Sequence, residues 1–113
     1  MLKISGVGID IVSINRIAKI YYKYKEKFTD KIFTLNEIKE ANEKGHFIQS
    51  ISGKFSAKEA FIKASIQKIS NLKDIEILSN IEGKPCISHE NKKYNLVSIS
   101  HEKDYAIAVV IIE

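Results

Sequence analysis

Apolar and polar residues alternate in residues 7–12, close to the start of the chain. Val7, Ile9 and Ile11 fall on one face of a strand by the period of two, and Gly8 and Asp10 fall on the other. Because Gly8 has no side chain, a ligand can approach the backbone closely beside the Asp10 carboxylate. The pattern therefore predicts a β-strand that carries Asp10 on the same face as Gly8.

Helical spacing replaces this alternation after Ser13, a residue type that commonly caps helices. The next apolar residues lie three or four positions apart, at Ile14, Ile17, Ala18 and Tyr21. The basic residues keep a similar spacing on another face, at Arg16, Lys19, Lys23 and Lys27. We therefore expect a helix with one apolar stripe and one basic stripe.

Two more helices are predicted between residues 34 and 69. Thr34 and Glu37 match the capping-box pattern, so a second helix is expected from there to about Lys44, with Gly45 as its C-terminal stop. A third helix is expected from Gly53 or Lys54 to about residue 69.

The last third of the chain is rich in β-branched residues and predicts strands. Strands are expected at residues 74–78, 85–88 and 94–100, with a turn at 80–83. Residues 105–112 are nearly all apolar and predict a central strand, joined to the preceding one by a tight connection at 101–104. One strand, three helices and an antiparallel strand meander define an α+β fold.

Length and composition narrow the class of protein. The 113 residues fit a single domain, residues 1–113. No run approaches the roughly 20 apolar residues of a membrane span, and the N-terminus lacks the apolar core of a secretory signal. Cys86 is the single cysteine, so no internal disulfide can form. A cytoplasmic protein with no membrane partner is expected.

The net charge of +4 permits an anionic partner. Between Arg16 and Lys31 there are six basic residues against two acidic ones. This cluster is either a docking surface or an ordinary solvated face, and the sequence leaves both open. A nucleic-acid-binding module is the alternative class, although the chain carries no recognised nucleic-acid motif.

Two carboxylates, Asp10 and Glu59, are candidates for a magnesium site. Mg²⁺ keeps several waters and accepts substrate phosphate oxygens, so it needs few protein carboxylates. Lys63 lies four residues after Glu59 and can offer a point charge to a phosphate. By spacing alone, Glu59 and Lys63 equally describe an exposed helical ion pair worth about 0.3–0.5 kcal/mol. No Cys/His cluster indicates zinc, and no Walker loop or nucleophile elbow is present.

Three blocks of the chain together resemble the holo-acyl-carrier-protein synthases, the short 4′-phosphopantetheinyl transferases. The first is residues 6–12 (GVGIDIV) with Arg16 downstream, and the second is residues 54–64 (KFSAKEAFIKA). The third is residues 97–101 (VSISH) followed by Tyr105 and Ala106. Shorter matches are Phe33-Thr34 with Glu37, residues 74–76 and residues 83–85.

The resemblance implies a fold of that family and an activity. The implied reaction moves the 4′-phosphopantetheine arm of coenzyme A to a serine of apo acyl carrier protein, in support of fatty acid biosynthesis. It releases adenosine 3′,5′-bisphosphate and depends on Mg²⁺. The resemblance also implies a homotrimer with active sites between subunits.

Each matching position receives an implied role. Asp10 and Glu59 are expected to be catalytic magnesium ligands, and Lys63 is expected to be catalytic and to contact the transferred phosphoryl group. Coenzyme A binding is expected from Lys54, Lys63, Ser100 and His101. Docking of the acidic recognition helix of the carrier protein is expected from Arg16, Lys19 and Lys23.

One segment departs from the family pattern. The family usually follows its Lys-Ala with a loop that contains glycine, whereas residues 65–71 here contain none. Either the third helix extends through this segment or the loop takes another shape. Because of this departure, the sequence also leaves open a third interpretation, in which the chain is a structural subunit that has lost activity.

Overall fold

The structure is a computed structural model that describes residues 3–113. Met1 and Leu2, part of the segment expected to lack a secretory signal, lie outside the described residues. The α+β prediction is confirmed. The elements are β1 (Gly6–Ser13), α1 (Ile14–Tyr24), α2 (Glu26–Ile32), α3 (Leu35–Glu43), α4 (Phe47–Ala64), β2 (Glu76–Ser79), β3 (Pro85–His89), β4 (Lys92–Tyr94), β5 (Val97–His101) and β6 (Tyr105–Ile112).

The strands form two antiparallel three-stranded sheets. The first has the order β1-β6-β5, and the second has the order β2-β3-β4. The predicted run of C-terminal strands is therefore divided, because β6 pairs with the N-terminal strand β1 on one side and with β5 on the other. Asp10 lies opposite Ala108, and β6 is the central strand of its sheet, as the apolar composition predicts.

The structure corrects the expected number of helices from three to four in the described residues. Lys25 takes a φ of +51°, outside the helical range, and separates α1 from α2. The predicted N-caps are confirmed at the starts of α1 and α3. Ser13 Oγ accepts from the Arg16 N–H at 3.2 Å, and Thr34 and Glu37 form the reciprocal capping box of α3.

Helix α4 begins earlier and ends earlier than the sequence predicts. It runs over Phe47–Ala64, whereas the expected range was 53 or 54 to about 69. Most of its residues are buried on all sides, so it lacks the one-sided apolar stripe from which bounds are read. The glycine-free segment does not extend the helix. It forms an irregular connection to a short 3₁₀ turn at Leu72–Asp74.

The core lies where α4 packs against both sheets. Its main cluster joins residues of α4, such as Ala57 and Phe61, to Ile77 and Ile87 of the second sheet and Val110 of the first. A second cluster fills the space between α4 and the preceding helices. None of the helices in residues 3–113 has the length and apolar character to cross a membrane.

Candidate active site

Asp10 lies where β1 is in direct contact with α4. A Cβ atom added to Gly8 would lie 1.9 Å from the carbonyl oxygen of Ala60, so only glycine fits. Gly8 is two residues before Asp10, and both therefore face the helix. The close approach brings the Asp10 carboxylate to the stretch of α4 that carries Glu59 and Lys63.

Lys63 reaches across from α4 to β1. Its ammonium donates to Asp10 Oδ1 at 3.2 Å and to the Ile9 carbonyl oxygen at 3.1 Å. The Lys63 side chain is 55% exposed and that of Asp10 is 16% exposed. The lysine thus forms its ion pair with the strand carboxylate, and its charge still faces solvent where a ligand can reach it.

Glu59 lies near enough to Asp10 for the two charges to repel each other. Burial, and next the charge of Asp10, raise the pKa of Glu59 above its usual 4.5, while Lys63 opposes the shift. The Glu59 carboxylate is therefore a group whose negative charge an added cation would stabilise. The structure brings Asp10, Glu59 and Lys63 together, as the sequence predicts.

This pair of carboxylates suits a divalent cation that also binds substrate. No cluster of three or more His, Cys, Asp or Glu side chains arranged to hold a metal occurs in residues 3–113. Two carboxylate ligands match the demand of Mg²⁺, which takes its other oxygens from water and phosphate. The donor chemistry therefore fits magnesium in a complex with a phosphorylated substrate, and it does not fit a closed structural metal site.

A cavity of about 490 Å³ lies beside the N-terminal half of α4. Its lining includes the cationic or titratable side chains of Lys44, His46, Lys54 and His101, and it also includes Gly53 of α4. Gly53 precedes Glu59 by six positions, which is about 9 Å along a helix axis. A long anionic ligand could therefore extend from this cavity toward the carboxylate pair.

The charge of Lys54 is already engaged inside the protein. Lys54 is 6% exposed; its ammonium pairs with Glu40 and donates to the Ile77 carbonyl oxygen at 2.6 Å. Burial alone would raise the pKa of Glu40, but the hydrogen bond from Lys54 and that from the Ser79 N–H hold it below 4.5. Lys54 lines the cavity as part of a brace between α3, α4 and β2.

The two candidate residues of β5 lie on opposite faces of the strand. His101 lines the cavity, together with Ile99. Ser100 points to the other face because side chains alternate along a strand, and the structure does not bring it to this cavity. His101 is the last residue of β5, so the tight connection consists of residues 102–104 alone.

The basic stripe lies outside this cavity, whereas two lining residues of the cavity were not among the sequence candidates. Arg16, Lys19 and Lys23 are all exposed on α1, as expected for a docking face. Sequence reasoning missed Lys44 and His46 as cavity residues. Both flank Gly45, the helix stop between α3 and α4, and that position was the one signal available.

The outer face of the first sheet is apolar and uncovered. Val7, Ile9 and Ile11 of β1 are each more than half exposed, and Tyr105 and Ile107 of β6 are also exposed. The register places Ile11 opposite Ile107, and Ile107 opposite Ser100. These side chains therefore form one continuous surface, in which Ser100 lies next to the apolar residues.

Comparison with known proteins agrees with the fold and identifies the family. The profile of the 4′-phosphopantetheinyl transferase superfamily matches residues 6–110. A holo-[acyl-carrier-protein] synthase of Thermodesulfovibrio yellowstonii is 46% identical over 112 residues, which cover 96% of this chain and 98% of that protein. One from Staphylococcus saprophyticus is 38% identical over 116 residues, covering 97% and 98%.

Solved structures of holo-[acyl-carrier-protein] synthases superimpose on this chain. The synthase of Neisseria meningitidis superimposes with a TM-score of 0.87 at 30% identity and covers 98% of this chain and 99% of its own. The Helicobacter pylori synthase, solved in complex with coenzyme A, gives a TM-score of 0.82 at 34% identity, with coverage of 94% and 99%. The chain belongs to the 4′-phosphopantetheinyl transferase superfamily and, within it, to the holo-acyl-carrier-protein synthases.

Proposed function

We propose that this protein transfers the 4′-phosphopantetheine group of coenzyme A to a serine of apo acyl carrier protein and releases adenosine 3′,5′-bisphosphate. The observation that carries the proposal is the meeting of Asp10, Glu59 and Lys63 at the contact between β1 and α4, in a chain that matches transferases of this family over nearly its whole length. The single domain of residues 1–113 would carry the activity.

Coenzyme A fits the cavity and the helix beside it. Its adenosine end carries a 3′-phosphate and a pyrophosphate, and the cavity offers Lys44, His46 and His101. From the cavity, the pyrophosphate would extend along α4 toward Lys63. The engagement of Lys54 with Glu40 makes Lys54 a wall residue that lends positive potential, so direct phosphate contacts would come from Lys44, His46 and His101.

Asp10 and Glu59 would hold Mg²⁺. When bound, the metal ion would neutralise charge on the pyrophosphate and so favour departure of the adenosine bisphosphate. Lys63 would add a preorganised positive charge, since its ammonium is anchored to β1 and still faces solvent. The chain's part in such a reaction is positioning and charge neutralisation, with no covalent participation.

The proposed transfer forms one bond and breaks one bond at the same phosphorus atom. The serine oxygen of the carrier protein attacks the pantetheine-side phosphorus, and the bond from that phosphorus to the bridging oxygen of the pyrophosphate breaks. The serine proton must leave during attack. Glu59, or a water bound to the metal ion, is the first candidate to accept it.

The carrier protein would dock on α1. Arg16, Lys19 and Lys23 form an exposed basic face, complementary to an acidic helix. Such contacts between exposed charges weaken as salt is added, since the Debye length is about 10 Å at 0.1 M salt.

The uncovered sheet face would form the interface of a homotrimer. An apolar surface of this kind is seldom left in contact with water. Ser100 lies on the same face, so in a trimer it would meet a neighbouring subunit, which suits an active site between subunits. Light scattering coupled to size-exclusion chromatography tests this: a mass of one or two chains would contradict it.

A cytoplasmic location stays a proposal from the sequence. Cys86 is a free thiol, and a free thiol suits a reducing compartment. Cell fractionation followed by immunoblotting would test it.

The direct experiment is mass spectrometry of apo acyl carrier protein incubated with this protein, coenzyme A and Mg²⁺, with an EDTA control. The expected gain is about 340 Da, the mass of one phosphopantetheine arm, and it should depend on the metal. No gain with several carrier proteins would refute the proposal. A gel shift with DNA or RNA at moderate salt would then support the nucleic-acid alternative.

A further inference from the structure

Ser56 forms a hydrogen bond between α4 and the backbone of the strand residue that carries the candidate metal-binding carboxylate. Its hydroxyl donates to the Asp10 carbonyl oxygen at 2.8 Å, and the two residues are 46 positions apart in the chain. The Ser56 residue is fully buried. The donor is therefore shielded from bulk water, and the bond joins two elements that only the tertiary structure brings together.

A second buried serine in the same helix shows what Ser56 does differently. Ser52, one turn earlier, donates its hydroxyl to the Ile48 carbonyl oxygen at 2.7 Å, four residues back in its own helix. That is the usual local bond of a serine inside a helix. Ser56 instead reaches out of the helix to β1.

The bond is one of three contacts that hold β1 along α4, while the ladder to β6 fixes the register of the strand within its sheet. Gly8 rests against the Ala60 carbonyl, Lys63 bonds the Ile9 carbonyl, and Ser56 bonds the Asp10 carbonyl. A shift of the strand by one residue, about 3.3 Å, would turn Asp10 to the opposite face and away from Glu59. The Lys63 side chain is 55% exposed, so the buried hydroxyl of Ser56 is the less solvated of the two polar anchors.

We propose that Ser56 is a positioning residue for the metal site, whose hydroxyl holds the Asp10 backbone so that its carboxylate meets Glu59 and Lys63. The inference rests on the proposed function and adds a residue that touches neither the metal nor the substrate. It concerns this chain's own geometry: without the bond, the Asp10 carboxylate samples positions that do not favour binding.

The test compares Ser56→Ala with Ser52→Ala. Both changes remove a buried hydroxyl from the same helix and introduce the best helix former, so both proteins should fold. The first readout is the affinity for Mn²⁺, which electron paramagnetic resonance measures in the presence of coenzyme A. The others are the Mg²⁺ concentration that gives half-maximal transfer, and the melting temperature.

Loss of one hydrogen bond should weaken Mn²⁺ binding by Ser56→Ala about three- to tenfold and raise the half-maximal Mg²⁺ concentration to match. Ser52→Ala should bind Mn²⁺ as the wild type does. Equal Mn²⁺ affinity for the two variants would overturn the inference, even if both lose thermal stability. A wild-type protein that neither binds Mn²⁺ nor transfers the arm would instead refute the proposed function.

Discussion

Replacing Lys58 by Met should destabilise this protein more than almost any other single lysine substitution. Lys58 and Glu37 are both fully buried, and their side chains meet at 2.7 Å. The Lys58 ammonium also donates to the carbonyl oxygens of Ile32 at 2.6 Å and Leu72 at 3.1 Å. Its three N–H groups are thus all used, and the substitution leaves Glu37 charged, buried and without a counter-ion.

The size of the stability loss follows from the buried Glu37 carboxylate that the substitution leaves without its partner. Removing one partner of a buried ion pair costs about 3–5 kcal/mol, because the remaining charge keeps its desolvation penalty. Burial lowers the pKa of Lys58 below 10.5 and Glu37 opposes the shift, so the ion pair offsets only part of the cost of burying this charge. A domain of this size is stable by about 5–15 kcal/mol, so the melting temperature should fall by more than about 10 °C.

Urea unfolding followed by circular dichroism measures the loss, with Lys68→Met as the matched control. Lys68 is exposed, and its replacement should change the unfolding free energy by less than about 0.5 kcal/mol. Adding Glu37→Gln to Lys58→Met should restore part of the stability, since no unpaired charge is left. A loss below about 1 kcal/mol for Lys58→Met, or a double variant as unstable as the sum of the single changes, would refute the reasoning.

The predictions for three other variants concern the site and its support. Glu59→Gln should abolish transfer while the far-ultraviolet circular dichroism stays unchanged, and near-normal rates from the folded variant would contradict a metal role. The raised pKa of Glu59 means that its charge destabilises the fold above that pKa. In EDTA, Glu59→Gln should therefore melt higher than wild type at pH 7, and the difference should vanish as the pH falls toward 4.5; a constant difference would count against the assignment. Arg16→Glu should raise the KM for carrier protein far more than that for coenzyme A, with the wild-type KM for carrier protein also rising with salt; equal effects on both substrates would exclude a docking role. Gly8→Ala should lower the melting temperature sharply, because its Cβ would lie 1.9 Å from the Ala60 carbonyl oxygen, whereas a variant as stable as wild type would show that β1 can move away from α4.

Local patterns were enough to predict much of the structure. The caps at Ser13 and Thr34 depend on residues within three positions of each other, so the chain determines them without distant contacts. The alternation in β1 also defines its two faces. Asp10, Glu59 and Lys63 were candidates by residue type and spacing, and the resemblance added their roles. The structure brings these three side chains together.

Other features depend on contacts between distant residues. The side chain of Lys54 looks like a free cation in the sequence, and only the packing of α3 on α4 places Glu40 beside it. The orientation of Ser100 follows from the register of β5 on β6. The start of α4 escaped prediction because a helix buried on all sides has no polar stripe to mark it.

By itself, the sequence determined the class of fold, the caps, the alternation of β1 and the family to which the chain belongs. Only the tertiary structure decided which face of β1 meets the helix. An apolar stripe usually points inward, yet Val7, Ile9 and Ile11 face outward, because α4 approaches β1 too closely for any side chain at Gly8. Backbone contact between elements far apart in the chain set that orientation, and it leaves no period in the sequence from which to predict it.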